Sequence, residues 1–195
     1  MRFSDTEIKD LLLAWVFISV AFAIALGQTE SFFTNFWVAA ITVGVAFIAH
    51  ELAHKFTAQH FGKFAEFRAN LSMLVLSVFI AFAGILFAAP GAVMISGFVS
   101  RKENGIIALA GPLVNVILAL LLLPIAFMLS GASLLGQIVA LGFAINAALA
   151  LFNLIPFWIF DGAKIIAWNK FVYAAMVIIS VALALAIIPV IGRLL

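Results

Sequence analysis

The sequence predicts an all-α polytopic membrane protein with five or six transmembrane helices and a re-entrant or hairpin segment at about 71–95. Three observations predict it. Of 195 residues, 67% are hydrophobic and only 9% are charged, with a mean hydropathy of +1.33, which leaves too little polar surface to cover a water-soluble globule. The apolar residues gather into runs of about 20, the length a helix needs to cross a hydrocarbon core of about 30 Å. The basic residues cluster between those runs rather than along them. A soluble enzyme, a nucleic-acid binder and a disordered chain are excluded, and a net charge of only +2 argues for no polyanionic partner. The chain has no cysteine, which rules out disulfides, a thiol nucleophile and Cys-ligated metal.

Leu11 to Leu26 reads as the first span, ended by Gly27-Gln28-Thr29-Glu30. Ala23-Ile24-Ala25 has the small-x-small form of a signal cleavage site, but Asp5, Glu7 and Asp10 offset Arg2 and Lys9 ahead of it, so a retained anchor is expected. A second span runs from about Phe36 to Phe56, followed by a polar stretch from Lys55 to Asn70. Leu71 to Ala89 is strongly apolar, broken by Pro90-Gly91 and continued by Ala92-Val93-Met94-Ile95. Ile106 to Met128, about Leu134 to Leu154, and Phe171 to Val190 complete the spans, with Pro124 and Pro189 near helix ends where a kink costs least.

Charge decides how the 71–95 segment is read. Lys55, Lys63 and Arg68 precede it, Arg101 and Lys102 follow it, and Lys164 and Lys170 precede the last span, whereas the loops around Glu30 and Ser130 to Ser133 carry no Lys or Arg. If the segment enters and leaves on one side, all three basic loops face the cytoplasm; a single crossing breaks the positive-inside rule for two of them.

The chemistry sits in His50-Glu51-Leu52-Ala53-His54. Two histidines four residues apart share one helix face about 6 Å apart along the axis, so both imidazoles reach one cation, and the Glu beside the first accepts a proton from metal-activated water. Zinc suits such a set. A lone intramembrane His is more often a helix–helix hydrogen-bond partner, but three ionisable groups within five residues of a lipid-embedded helix are costly unless paired or metallated. A catalytic zinc needs a third protein ligand. His60 falls well round the helix from His50 and reads as a polar-loop histidine. Asp161, the only Asp after Asp10, lies in apolar Phe157-Trp158-Ile159-Phe160-Asp161-Gly162. Its plainer role is a salt bridge to Lys164; the ligand role is preferred. Asn146 and the 21 phenylalanines read as packing and lipid contact, and Trp15, Trp37, Trp158 and Trp168 as interfacial or packing residues.

His50-Glu51-Leu52-Ala53-His54, then Ala110-Gly111-Pro112-Leu113-Val114-Asn115, then Asn153-Leu154-Ile155-Pro156 leading into Phe160-Asp161-Gly162, resembles the site-2 protease family of intramembrane zinc metalloproteases. The resemblance covers about Val38 to Lys164. It implies Zn2+ held by His50, His54 and Asp161, Glu51 as the catalytic acid/base, and a transmembrane protein as substrate, cleaved in regulated intramembrane proteolysis. With no internal domain boundary, the chain reads as one transmembrane metalloprotease domain over 1–195 in the cell membrane, and Lys55, Lys63 and Arg68 after the histidines put its active site toward the cytoplasm. Asn115 and Asn153 could contact an oxyanion or substrate, or serve as interhelical or helix-end hydrogen bonds. The third motif reads Phe-Asp-Gly-Ala rather than the Leu-Asp-Gly of many members, and 71–95 is longer and more apolar than the family's short strand-like stretch. The rivals are a metal or proton transporter using the His/Glu cluster, and a different membrane zinc hydrolase that need not use Asp161.

Overall fold

The computed structural model describes residues 3–27, 31–85, 90–129, 133–157 and 159–192. Most of the Glu30 and Ser130 loops and Trp158 lie outside them. In chain order the elements are α1 (Asp5–Ala25), α2 (Phe32–Ala39), a π-helical turn (Ala40–Gly44), α3 (Val45–His60), β1 (Phe64–Ala69), α4 (Leu71–Ala81), β2 (Gly91–Ser96), α5 (Arg101–Met128), α6 (Leu134–Asn153), α7 (Asp161–Trp168) and α8 (Lys170–Ile191).

Helix starts are written into the sequence as short polar residues before each apolar run. Ser4, Ser31, Asn70, Ser133 and Asn169 each accept a hydrogen bond from a first-turn N–H, satisfying donors that the helix leaves free. Ser100 and Glu103 close a reciprocal capping box at the start of α5. Five helical stretches among the described residues are long and apolar enough to span a membrane: α1, the continuous Phe32–His60, α5, α6 and α8. The second is longer than the expected Phe36 to Phe56. Its π turn is plugged by α1, because Trp15 donates its indole N–H to Ala40 O at 2.9 Å and its ring occupies the place of a side chain at Gly44. Trp15 is thus a packing residue.

The 71–95 segment is a hairpin. Its helix α4 has 11 residues, about 16 Å at 1.5 Å per residue, half of what a crossing requires. The strands flanking it pair antiparallel from Phe64↔Ser96 to Ala69↔Gly91, and the Asn70 N–H donates to Pro90 O at 2.9 Å, so the chain returns to where it left. The all-α polytopic expectation holds, with this sheet of only two strands as an addition to the helices. The polar stretch Lys55 to Asn70 is not a loop throughout: it finishes α3 and supplies β1. His60 is the exposed last residue of α3.

The hairpin leaves five spans and one crowded end. Lys63 pairs with Glu103 at 3.1 Å, joining the end of α3 to the start of α5. Arg101 Nε donates to Ala167 O, and Gly105 admits the Trp168 ring, which bring α7 to the same place. Helix α5 packs on α3, α6 and α7, with α8 against α6, around buried Val116, Phe143, Leu154 and Ile165.

Candidate metal centre

The first two groups come from α3, where helical spacing brings the His50 and His54 rings together edge to face, with centroids 4.6 Å apart. Their outer nitrogens are committed. His54 Nδ1 lies 2.7 Å from Ile107 O, and a carbonyl can only accept, so Nδ1 carries the proton. His50 Nδ1 lies 2.6 Å from Asn115 Oδ1, while the Asn115 amide nitrogen donates to Asn146 Oδ1 at 2.9 Å and Ala46 O at 3.3 Å. The Oδ1 is therefore the atom facing His50, and Nδ1 carries that proton too. Both Nε2 atoms are left with lone pairs turned inward, 3.0 Å apart.

Asp161 joins them from the start of α7. Gly162 makes this approach feasible, since a Cβ there would collide with the backbone of Leu154 and Ile155 at the end of α6. Asp161 Oδ2 stands 3.1 Å from His54 Nε2 and 3.4 Å from His50 Nε2, while its Oδ1 meets Lys164 Nζ at 3.3 Å. The expected Lys164 pair and the expected meeting with the histidines thus use different oxygens of one carboxylate.

Three buried electron-pair donors therefore converge from two elements distant in sequence. Such an arrangement needs a cation at its middle, a proton or a metal. In a tetrahedral zinc site with bonds of about 2.0–2.1 Å, ligand atoms stand about 3.3 Å apart. The separations of 3.0, 3.1 and 3.4 Å fit that figure. The Nδ1 bonds are the outer-shell contacts that metal-ligating histidines make.

Glycine at position 111 sets how closely α5 can approach. A Cβ there would lie 2.6 Å from His50 Nε2 and nearer still to His54 Nε2. With hydrogen alone, α5 presses its backbone against both imidazoles and exposes Ile107 O, one turn earlier, to His54. Glu51 is half-buried, within electrostatic reach of His50, Asp161 and Lys164, and against the backbone of Val93 in β2.

The remaining sequence candidates part company. Asn115 is fully buried and bonded to His50. Asn153 is half-buried and donates to Leu149 O at 2.9 Å, a helix-end bond. His60 takes no place in the His50, His54 and Asp161 group. Asn146, expected to serve in packing and lipid contact, is instead buried and hydrogen-bonded to Asn115. Its signal was present in the sequence: an amide inside an apolar span needs a polar partner, and Asn115 was another such amide.

A spanning helix that carries two histidines, and a short helix between spans that brings Asp161 to the same buried point, define a multi-pass membrane protein with a metal-competent centre. A curated protein of Methanocaldococcus jannaschii, which carries the provisional name of a zinc metalloprotease, is 40% identical over 175 residues, covering 89% of this chain and 90% of its own length. The chain belongs to that zinc metalloprotease family. No family model matches it, and no solved structure gives a significant match.

Proposed function

We propose that the protein is an intramembrane zinc endopeptidase of the site-2 type, with zinc held by His50, His54 and Asp161 and with Glu51 as its acid/base. The observation carrying this reading is the convergence of three buried donors beside a glutamate within a bundle of membrane-length helices. Bound zinc supplies a Lewis acid that polarises a scissile carbonyl and brings the pKa of water toward ~7. Glu51 takes the proton from the attacking water and returns it to the leaving amine. Asn115 and Ile107 O hold the two imidazoles in the tautomer that ligates, and Lys164 occupies the second oxygen of Asp161. Asn153 remains a candidate substrate contact once a substrate competes for its amide.

A transmembrane segment is the favoured substrate because of the surroundings. An apolar cavity of about 760 Å³ lies among Ile18 and Phe22 of α1, Phe47 of α3, Phe152 of α6 and Ile187 of α8. It offers apolar side chains a place within a few residues of His50. The basic residues Lys63, Arg68, Arg101, Lys102, Lys164 and Lys170 sit at the bundle end that carries the site, which favours a cytoplasmic orientation in the cell membrane.

The test is cleavage of a membrane-anchored reporter in vesicles, with products located by mass spectrometry. Wild type should cut within or beside the reporter's apolar segment in a chelator-sensitive way. Glu51→Gln should retain zinc yet lose at least ~10²-fold in turnover. Equal cleavage by Glu51→Gln, or metal flux through the vesicle without any cleavage, would overturn the proposal.

A further inference from the structure

Whether His50 can ligate depends on which way round the Asn115 amide sits. The two ends of a carboxamide have nearly the same shape. Turned over, Asn115 would offer its NH2 to His50 Nδ1, which would then have to accept, sending the imidazole proton to Nε2, where it blocks the metal-facing lone pair. What prevents this is the acceptor on the far side. Ala46 O is 3.3 Å from Asn115 Nδ2, whereas Asn146 Oδ1 is closer at 2.9 Å. Asn146 is itself fixed, because its Nδ2 donates to Gly142 O at 2.8 Å. A backbone carbonyl has no donor form, so Asn146 must point its own oxygen toward Asn115.

We propose that Asn146 is a positioning residue for the metal centre: from α6, it locks the Asn115 amide and so fixes the tautomer in which His50 Nε2 presents a lone pair. The relay runs from Gly142 O through two buried amides to an imidazole, and each orientation is dictated by the one before. It rests on the reading of His50 as a ligand. An Asn serving only as glue between helices would have no such directional requirement, because either end of its amide could bridge them.

The experiment uses the full chain in detergent and compares wild type, Asn146→Leu, Asn146→Asp and His50→Ala. Zinc affinity is measured by competition with a chromophoric chelator, and ligand geometry by the visible bands of the cobalt-substituted protein. Asn146→Leu should weaken zinc about 10–100-fold, the usual scale for loss of an outer-shell partner, and alter the cobalt bands. Asn146→Asp should restore both, since a neutral carboxyl in that buried place accepts from Asn115 through one oxygen and donates to Gly142 O through the other. Wild-type affinity and spectrum in Asn146→Leu, with zinc lost in His50→Ala, would overturn the relay. So would an Asp variant no better than the Leu variant. Zinc unaffected in His50→Ala would overturn the ligand reading beneath it, and the relay with it.

Discussion

Glu7 and Lys55 form an ion pair in which neither side chain reaches solvent. The second oxygen of Glu7 accepts the Phe67 N–H at 2.9 Å, and the Lys55 ammonium lies 3.6 Å from the centroid of the Phe3 ring. One carboxylate thereby ties α1 to both α3, a residue beyond His54, and β1. Removing one partner of a buried pair strands the other charge, so Glu7→Ala should destabilise the protein by roughly 3–5 kcal/mol. Unfolding in mixed micelles measures this. A variant as stable as wild type would mean that water reaches Lys55.

The centre itself predicts graded metal loss. His50→Ala, His54→Ala and Asp161→Ala each leave two of the three convergent donors, and zinc affinity should fall by several orders of magnitude in the histidine variants and strongly in the aspartate variant. His60→Ala should leave it unchanged, because His60 is exposed and takes no place in the group. Metal analysis after purification without added zinc compares them directly.

Gly111→Ala tests how tightly α5 is set against the imidazoles. The new methyl would occupy space held by His50 and His54, displacing the rings or the helix. Zinc binding should weaken at least as much as on loss of an outer-shell hydrogen bond, on the order of 10-fold or more. Undiminished zinc affinity would show that α5 can withdraw without disturbing the ligands.

Topology can be read with single cysteines in a chain that has none. Placed at Lys63, Lys102 and Lys170, all should react with an impermeant thiol reagent from the same face, because α4 is too short to cross and β1 pairs with β2. Labelling of the Lys102 and Lys170 positions from the face opposite to Lys63 would mean that 71–95 spans the membrane.

Sequence alone determined what is local or compositional. Apolar run length set the spanning helices, Ser and Asn caps set their starts, helical spacing put His50 and His54 on one face, and the distribution of Lys and Arg argued that 71–95 turns back. Tertiary structure decided what depends on distance through space rather than along the chain. The β1–β2 pairing, the π turn plugged by Trp15, and the meeting of Asp161 with histidines more than a hundred residues earlier all require other elements to be in place. Asn146 is the sharpest case. The sequence shows an amide that needs a polar partner within an apolar span, but a hydrogen bond's direction, which gives that amide its role, exists only once α5 and α6 are packed.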